Sequence, residues 1–276
     1  MANERMLHFL YHTAAGRILL RPLCSRGVSR LCGAFLNTRL SKPLVAPFLR
    51  KNGIAVADFE GAPFANFNAC FSRKIRDGLR PIAPLPAFIA PCDALLSAYH
   101  IAGDTVIPVK QSRFTVSALL GNDPVAARYA DGVCLVFRLC VQHYHRYHYV
   151  DDAKKGENVF IKGKLHTVRP IALREVPVFV ENCREYTVMD TAHCGTVTQV
   201  EVGALLVGKI CNRDGAGDVK RGAEKGMFLY GGSTVILLLE KGRVRLPETL
   251  FAATADGKET PVRLGEAIGE IEGEAT

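Results

Sequence analysis

The distribution of apolar and polar positions divides the chain into regions with different patterns. In the first 51 residues, apolar side chains alternate with basic ones, and four arginines interrupt the apolar positions: Arg17, Arg21, Arg26 and Arg30. This pattern predicts basic surface helices. From residue 133 onward, short runs rich in Val, Ile, Phe and Tyr are separated by Gly, Asn, Asp and Pro, which predicts strands joined by turns. The runs are 133–142, 157–168, 177–182, 184–190, 195–210 and 234–239.

Between these regions the sequence predicts one helix and one extended connection. The apolar positions from Phe64 to Arg76 follow helical spacing. The stretch from Pro81 to Pro91 contains four prolines in eleven residues, which excludes a regular helix or a central strand. Few helical patterns interrupt the later runs. The predicted fold is therefore α+β, with basic N-terminal helices followed by a mainly antiparallel, β-rich catalytic core.

Composition is consistent with one folded catalytic domain and a smaller appendage. The chain has 276 residues, of which 48% are hydrophobic and 22% charged. We expect a helical, basic, membrane-associating segment over 1–60 and a β-rich catalytic domain over 61–276. The nine cysteines are odd in number and form no CxxC pair, which favours reduced core thiols in a cytosolic redox environment. No apolar stretch is long enough to predict a spanning helix, and no secretory signal is evident.

The charge of the chain indicates an anionic partner. Its formal net charge is +8 and its pI about 9.1, values that fit either nucleic acid or acidic lipid. Nine basic residues and a single acid, Glu4, lie in the first 51 positions. These helices could pack on the domain as basic surface helices, or they could lie in the interface of an anionic membrane. The arginines that interrupt the apolar face favour the membrane anchor.

Three segments contain candidate chemistry. Gly231-Gly232-Ser233-Thr234 precedes an apolar run, and by spacing alone it is most simply a tight turn. No phosphate-binding GxxxxGK[ST] loop or complete dinucleotide fingerprint occurs. Asp93, which leaves the proline-rich stretch, taken alone predicts a helix N-cap.

The third segment contains three histidines within six residues, His143, His145 and His148. On a strand, His143 and His145 would share one face and could bind a metal, but no nearby set of Asp, Glu or Cys completes a ligand cluster. A solvated edge strand rich in tyrosine and histidine is the simpler alternative. Spacing alone therefore leaves the role of this segment open.

Taken together and in chain order, these segments resemble the phosphatidylserine decarboxylase family. The resemblance covers about residues 30 to 265. Its motifs are the Pro-x-Asp segment at Asp93, the Tyr-His-Arg-x-His segment at 144–148, the Gly-Ser-Thr segment at 232–234, Phe67-Asn68 to Arg73-Lys74, Gly163-x-Leu165-His166-Thr167-Val168-x-Pro170, Asn182-x-Arg184, Val202-Gly203-Ala204, Val207-Gly208-x-Ile210 and Arg221-Gly222 to Phe228. Two positions depart from the usual pattern: the family usually has Asn-Asp-Phe-Phe at 68–71, and many bacterial members have Leu at 231.

The resemblance implies that the chain cuts its own backbone between Gly232 and Ser233. In the family, the serine hydroxyl attacks the carbonyl of the preceding glycine and the peptide link becomes an ester. Elimination and hydrolysis then leave a pyruvoyl group at the former serine. Carried onto this sequence, the products are a β chain of residues 1–232 and an α chain of residues 233–276.

The family also supplies roles for the other candidates. His148 matches the base that activates the serine, and Asp93 matches the acid that orients it, so Asp93, His148 and Ser233 would form a charge relay for self-cleavage. His145 matches a second histidine, which acts in proton transfer during decarboxylation. The flanking glycines fit this chemistry, because attack on a neighbouring carbonyl needs backbone freedom that side chains would restrict.

The implied cofactor is pyruvate, held covalently as the pyruvoyl group at Ser233, and no metal is expected. Its ketone would form a Schiff base with phosphatidylserine and accept the electrons left when CO2 departs, giving phosphatidylethanolamine for phospholipid biosynthesis. The implied partners are phosphatidylserine, an anionic membrane surface and the paired α and β chains; no nucleic acid is expected, and the sequence leaves a homo-oligomer open. The implied location is peripheral, on the cytoplasmic face of the cell membrane.

Three alternatives remain open from the sequence. The chain could be a pyruvoyl decarboxylase of another amino-acid substrate. It could be a non-enzymatic, β-rich membrane-binding protein in which Ser233 is only a turn residue. It could also be a metal-dependent protein that uses the three histidines.

Overall fold

The computed structural model describes residues 2–106, 113–205, 209–229 and 233–272. The α-helices in these ranges are α1 (Ala2–His12), α2 (Ala14–Leu23), α3 (Arg26–Leu36), α4 (Val45–Lys51), α5 (Phe67–Phe71), α6 (Val116–Leu119), α7 (Pro170–Leu173), α8 (Val178–Glu181) and α9 (Glu248–Ala255). Short 3-10 helices cover Arg39–Leu44, Val56–Asp58 and Pro124–Tyr129.

Side-chain caps separate the first three helices. The Thr13 hydroxyl accepts a hydrogen bond from the Gly16 N–H and so begins α2, and the Ser25 hydroxyl accepts one from the Val28 N–H and begins α3. Gly16 lies against the end of α1, where an added Cβ would be 2.0 Å from the carbonyl oxygen of Phe9. Only glycine allows α1 and α2 to approach this closely.

The strands form the rest of the fold. They are β1 (Ala87–Ile89), β2 (Ala94–Ala102), β3 (Thr105–Val106), β4 (Phe114–Thr115), β5 (Val133–Leu139), β6 (Arg146–His148), β7 (Ala153–Lys155), β8 (Val159–Ile161), β9 (Arg184–Thr191), β10 (Thr196–Val202), β11 (Lys209–Asn212), β12 (Gly217–Val219), β13 (Glu224–Leu229), β14 (Ser233–Leu239), β15 (Val244–Arg245), β16 (Thr260–Val262) and β17 (Ala267–Ile271).

Most of these strands belong to one large antiparallel sheet. Its main path is β12-β7-β9-β10-β14-β5-β2-β3-β4, with β8 on β9 and β16 on β2. Two three-stranded sheets, β1-β17-β15 and β11-β13-β6, accompany it. β10 and β14 lie at its centre and are buried along their whole length. The apolar run that follows Ser233 therefore forms a central strand of the core.

The α+β fold predicted from the sequence is confirmed, although several element boundaries differ. The runs 133–142, 184–190 and 234–239 correspond to β5, β9 and β14. The prediction of a strand over 177–182 is wrong, because this short apolar run forms α8; periodicity does not separate a buried strand from a buried helical turn. The predicted helix over 64–76 is reduced to α5, and the run 157–168 contains only β8 as a regular strand.

Two further observations bear on the class of protein. Within the described ranges, no helix combines the length and the apolar character that crossing a bilayer requires. All nine cysteines lie in these ranges and are free thiols. Six of the nine are buried, as expected for cysteines that act as small core residues.

Candidate functional site

The register of the large sheet brings Asp93 and Ser233 to the same end. Both β2 and β14 pair in antiparallel fashion with β5. They therefore run in the same direction and begin at the same end of the sheet. Leu95 pairs with Arg138, and Arg138 pairs with Thr234. Only β5 separates Asp93 from Ser233, which places their strands about 10 Å apart.

The histidine segment, residues 143–148, follows β5 at this same end of the sheet. β5 ends at Leu139, which pairs with Ser233, and the chain then continues through His145 to β6. The His148 N–H donates a hydrogen bond to the carbonyl oxygen of Pro91, 2.9 Å away, two residues before Asp93. The fold thus gathers Asp93, both histidines and Ser233 around one end of β5.

Ser233 is fully buried as the first residue of β14. Its hydroxyl oxygen has no hydrogen-bond partner among the described residues, and the same holds for the hydroxyl of the neighbouring Thr234. A buried polar group without a partner costs about 1–3 kcal/mol, and such groups are rare in folded proteins. Among the described residues, the structure therefore leaves two buried hydroxyls without a hydrogen-bond partner at this point of the core. Gly232, the other residue of the predicted cleavage site, lies outside the described residues.

The Asp93 side chain is bound by a cation that sequence reasoning missed. The Arg80 guanidinium donates from Nε to Oδ1 at 2.8 Å and from a terminal nitrogen to Oδ2 at 2.5 Å. The Leu264 N–H donates to Oδ1 at 2.9 Å. The N-cap interpretation is wrong, because β2 rather than a helix follows Asp93. Nothing in the local pattern singles out Arg80, which lies at the start of the proline-rich stretch.

His148 is a nearly buried, neutral imidazole. The residue is only 9% exposed, and its Nδ1 atom has no hydrogen-bond partner in the described part of the chain. Burial lowers the pKa of His148 to about 4, aided by the nearby charges of Arg146 and Arg213 and opposed by that of Asp93. At neutral pH this side chain is therefore unprotonated, as a general base must be before it accepts a proton.

His145 is more deeply buried, and its tautomer follows from its contacts. Its ring centroid lies 4.0 Å from that of Phe71, and Nδ1 lies 2.9 Å from the carbonyl oxygen of His143. Because a carbonyl only accepts, Nδ1 carries the proton and Nε2 presents a lone pair. That Nε2 is buried without a partner among the described residues. Burial, with the charge of Arg73, lowers the pKa of His145 to about 3.

The structure brings the predicted residues to one region without joining them directly. Among the described residues, no hydrogen bond links Asp93, His148 and Ser233. Asp93 nevertheless acts on His148 through its charge. In the same ranges, no cluster of three His, Cys, Asp or Glu side chains is placed to hold a metal ion. The arrangement combines a buried hydroxyl, a neutral base and a fixed carboxylate, which is the set needed to activate a serine.

Several of the motif residues have structural roles around this region. The buried Asn182 amide donates to the carbonyl oxygens of His166 and Gly203 and accepts from the His166 N–H. Gly203 follows Val202, which pairs with Thr234, so Asn182 fixes the backbone beside the start of β14. The Arg73 guanidinium donates to the carbonyl oxygens at 142 and 143 and so holds the histidine segment.

A buried ionic network joins the small sheet β11-β13-β6 to the large sheet. Lys225 on β13 and Glu201 on β10 are both fully buried, and their charged atoms lie 2.8 Å apart. Asn212 accepts from Lys225 and donates to Glu201. Gly226 is required next to this network, since an added Cβ would lie 2.4 Å from the carbonyl oxygen of Cys211. Because β6 carries His148 and β14 carries Ser233, the network sets the position of one sheet relative to the other.

Removing one partner of this pair should strongly destabilise the protein. Lys225→Met leaves the Glu201 carboxylate buried and uncompensated, and we expect a loss of about 3–5 kcal/mol in the free energy of unfolding, measured by urea denaturation. The double variant Lys225→Met/Glu201→Gln removes both charges and should recover most of that loss. Equal destabilisation by the single and double variants would contradict the assignment of the loss to an uncompensated buried charge.

Comparison with known proteins gives a consistent assignment. A sequence model of the phosphatidylserine decarboxylase family matches residues 67–270. The chain is 39% identical over 266 residues to phosphatidylserine decarboxylase proenzyme 2 of Clostridium acetobutylicum, covering 96% of this chain and 91% of that protein. It is 35% identical to the phosphatidylserine decarboxylase proenzyme of Ruminiclostridium cellulolyticum, covering 98% and 92%. It is 36% identical to that of Clostridium novyi, covering 98% and 94%.

Proposed function

This chain belongs to the phosphatidylserine decarboxylase family, and from that premise we propose how its buried site makes and uses a pyruvoyl group. The protein is a lyase that releases CO2 from the serine headgroup of phosphatidylserine and leaves phosphatidylethanolamine. Its similar relatives are named proenzymes, which denotes precursors that are processed. The proposal is that processing is carried out by the chain itself, at the bond between Gly232 and Ser233.

Self-cleavage begins at the buried hydroxyl. His148 accepts the proton of Ser233 Oγ, the oxygen attacks the carbonyl carbon of Gly232, and the peptide C–N bond breaks as the ester C–O bond forms. The positive charge that develops on His148 is offset by Asp93, whose carboxylate Arg80 and the Leu264 N–H hold in place. The low pKa of His148 favours its return of the proton to the amine that leaves.

Elimination completes the reaction. Loss of the Cα proton and rupture of the Cβ–O bond release residues 1–232 with a terminal carboxylate and leave a dehydroalanine at 233. Water then hydrolyses its imine tautomer and ammonia departs, so that the α chain, residues 233–276, begins with a ketone. The Ser233 hydroxyl supports this proposal, because no hydrogen bond to the described residues holds it in place.

The residues around position 233 fit a covalent pyruvoyl group. Its oxygens could accept from the Thr234 hydroxyl, which is buried and has no other partner among the described residues. Once in place, the group supplies an electron sink for the electron pair of the breaking C–C bond. We assign His145 to proton transfer in this stage, since its Nε2 presents a lone pair that no described residue binds. No metal is needed for these steps.

The N-terminal helices support docking on an anionic membrane. Residues 1–60 would form the membrane-associating segment, and 61–276 the catalytic domain. Large apolar side chains of this segment point into solvent, with Ile18 66%, Leu31 73% and Leu40 77% exposed. Basic residues lie among them, and each contributes about 1 kcal/mol near an anionic surface. A peripheral position on the cytoplasmic face would bring the site to a lipid substrate without a membrane-spanning helix.

A charge placed on this apolar surface should weaken membrane binding. Ile18→Asp removes a side chain that would enter the lipid interface, which is worth about 1.5–3 kcal/mol, so binding to vesicles containing phosphatidylserine should fall about ten- to hundredfold in a sedimentation assay. Leu85→Asp is the matched control, since Leu85 is also exposed but lies on the proline-rich stretch, and its binding should not change. An unaltered partition of Ile18→Asp would argue against this surface as the docking face.

The substrate assignment is tested by a direct assay. The observation that carries it is family membership combined with a buried Ser233 hydroxyl that makes no hydrogen bond to the described residues, at the sheet end that also holds Asp93. Purified protein should form phosphatidylethanolamine from phosphatidylserine in detergent mixed micelles and should leave free serine unchanged. Turnover of free serine or of another amino acid in preference to the lipid would point to a different pyruvoyl decarboxylase.

A further inference from the structure

A cavity of about 520 Å³ lies between α3 and the sheet end that carries Ser233. We call it the α3 cavity; its walls include Ser29, Arg30, Asn68, Gly203, Lys209 and Leu229. Val202 pairs with Thr234, which puts Gly203 beside Ser233, and Leu229 is the last described residue before Ser233. The wall of the cavity at Gly203 therefore comes within one strand spacing, about 4.8 Å, of the backbone of the reacting residue. Its volume is in the usual range for small-molecule sites, about 300–1,000 Å³.

Two residues on the wall of this cavity each have a buried polar atom without a hydrogen-bond partner in the described part of the chain. Ser29 and Asn68 are only 3% and 4% exposed, and neither the Ser29 hydroxyl nor the Asn68 Oδ1 makes a hydrogen bond to the described residues. The Asn68 amide cannot simply turn around, because its Nδ2 donates to the Gly33 carbonyl and to Asn37 Oδ1. The Ser29 hydroxyl can donate to a phosphate oxygen, whereas Asn68 Oδ1 can only accept and would need a ligand N–H, such as that of the headgroup ammonium. Either hydrogen bond would offset the cost of a buried polar atom without a partner.

The charges around the α3 cavity favour an anionic ligand. Arg26, Arg30 and Lys209 line it, against a single carboxylate, Glu185. Asn212 already donates to Glu185 at 2.7 Å. Across the described residues, neither Arg30 nor Lys209 has a carboxylate within ion-pair distance. The two cations are therefore available to a ligand, with the Ser29 hydroxyl as a further donor.

The chemistry of the substrate fixes which group could lie here. In phosphatidylserine, only two carbon atoms separate the phosphodiester oxygen from the amino nitrogen that must reach position 233. The phosphodiester must therefore bind close to this position, and the space beside Gly203 is close enough. Guanidinium and ammonium groups bind phosphate oxygens through short, charge-assisted hydrogen bonds.

We propose that the α3 cavity is the subsite for the phosphodiester of the lipid headgroup, with Arg30 and Lys209 as its cationic partners and the Ser29 hydroxyl as a hydrogen-bond donor. The assignment rests on the proposed function and deepens it: recognition of phosphate would separate a phospholipid from free serine. α3 would then serve both the membrane surface and the substrate site.

The test measures binding without turnover. The probe is sn-glycero-3-phosphoethanolamine, a soluble headgroup that has no carboxylate to lose, and its Kd is measured by calorimetry on the mature enzyme. Arg30→Gln and Lys209→Gln should each raise this Kd about tenfold, while the extent of self-cleavage stays unchanged. KM for phosphatidylserine in mixed micelles should rise by a similar factor. Free ethanolamine, which has no phosphate, should bind equally to all these proteins.

The control separates the cavity from the membrane surface. Arg17→Gln removes the same charge from α2, outside the α3 cavity, so it should weaken vesicle binding without changing the Kd of the soluble probe. Ser29→Ala gives an uncharged version of the test if either cationic variant fails to accumulate, and it should raise the Kd about threefold or more. An unchanged Kd in Arg30→Gln and Lys209→Gln would overturn the subsite.

Two other outcomes distinguish failure of the headgroup assignment from failure of the proposed function. If inorganic phosphate binds and loses affinity in the variants while the phosphodiester probe does not, the cavity is a free-anion site and the headgroup assignment is wrong. If the wild-type protein forms no phosphatidylethanolamine, the proposed function fails, and the calorimetric result still decides whether the cavity binds a phosphodiester.

Discussion

Replacing Ser233 with alanine is expected to leave a single, uncut chain without decarboxylase activity. The methyl side chain has no oxygen to attack Gly232, so neither the ester nor the ketone can form. Enzymes commonly accelerate reactions by about 10⁶-fold or more, and the whole of that acceleration should be lost. Denaturing electrophoresis would show one band near 30.1 kDa, and an assay of phosphatidylethanolamine would show no product.

Stability distinguishes this result from misfolding. Ser233→Ala removes a buried hydroxyl that makes no hydrogen bond to the described residues, so the variant should be at least as resistant to urea as an uncut wild-type chain. Thr234→Val makes a similar change at the next position and should still be cleaved. Cleavage at the same bond in Ser233→Ala would exclude serine attack as the mechanism.

Replacing His148 with glutamine should prevent or greatly slow the cut while the chain remains folded. Glutamine keeps much of the volume of the side chain but cannot accept the proton of Ser233. Loss of a general base commonly costs about 10²–10⁴-fold in rate, so the precursor should persist for days where the wild-type chain matures during expression. The fraction cut is read by electrophoresis at timed intervals after purification.

His145 provides the matched comparison for this variant. It lies three residues earlier, it is more deeply buried, and its pKa is lowered further. His145→Gln should still cut the chain, since we place this side chain in the later proton transfer, but its decarboxylation rate should fall by about 10²-fold or more. If His145→Gln is not cleaved and His148→Gln is cleaved normally, His145 rather than His148 is the base of self-cleavage, and our assignment is wrong.

The sequence predicted the parts of this protein whose signals are local. The apolar run after Ser233 is recognisable as a buried strand, and β5 and β9 follow from similar runs. The family, too, was recognisable, because several motifs occur in the same order, and the comparisons confirm it. The roles of Asp93, His148 and Ser233 came from that resemblance and stay predictions.

What the sequence did not predict depends on contacts between distant segments. The ion pair of Arg80 with Asp93 joins residues on either side of the proline-rich stretch, and Leu264, far along the chain, supplies the third hydrogen bond. The α3 cavity similarly needs α3 to pack across the sheet end. The wrong strand at 177–182 has a local cause, since a short apolar run fits either a strand or a helical turn.

Burial organises the site energetically. It keeps both histidines neutral by lowering their pKa, and it leaves the hydroxyls of Ser233 and Thr234 and the Nε2 atom of His145 without partners in the described ranges. These are unfavourable features that the surrounding core must offset. Their concentration at one sheet end is the physical reason to look for reactivity there.

The central claim is tested most directly by the intact mass of the active, wild-type protein under denaturing conditions. The account predicts two chains, one of residues 1–232 ending in a carboxylate and one of residues 233–276. The smaller chain should be lighter, by the mass of one ammonia, than the same peptide beginning with an unmodified serine. A fully active sample that consists of one continuous polypeptide, with serine intact at 233, would contradict it.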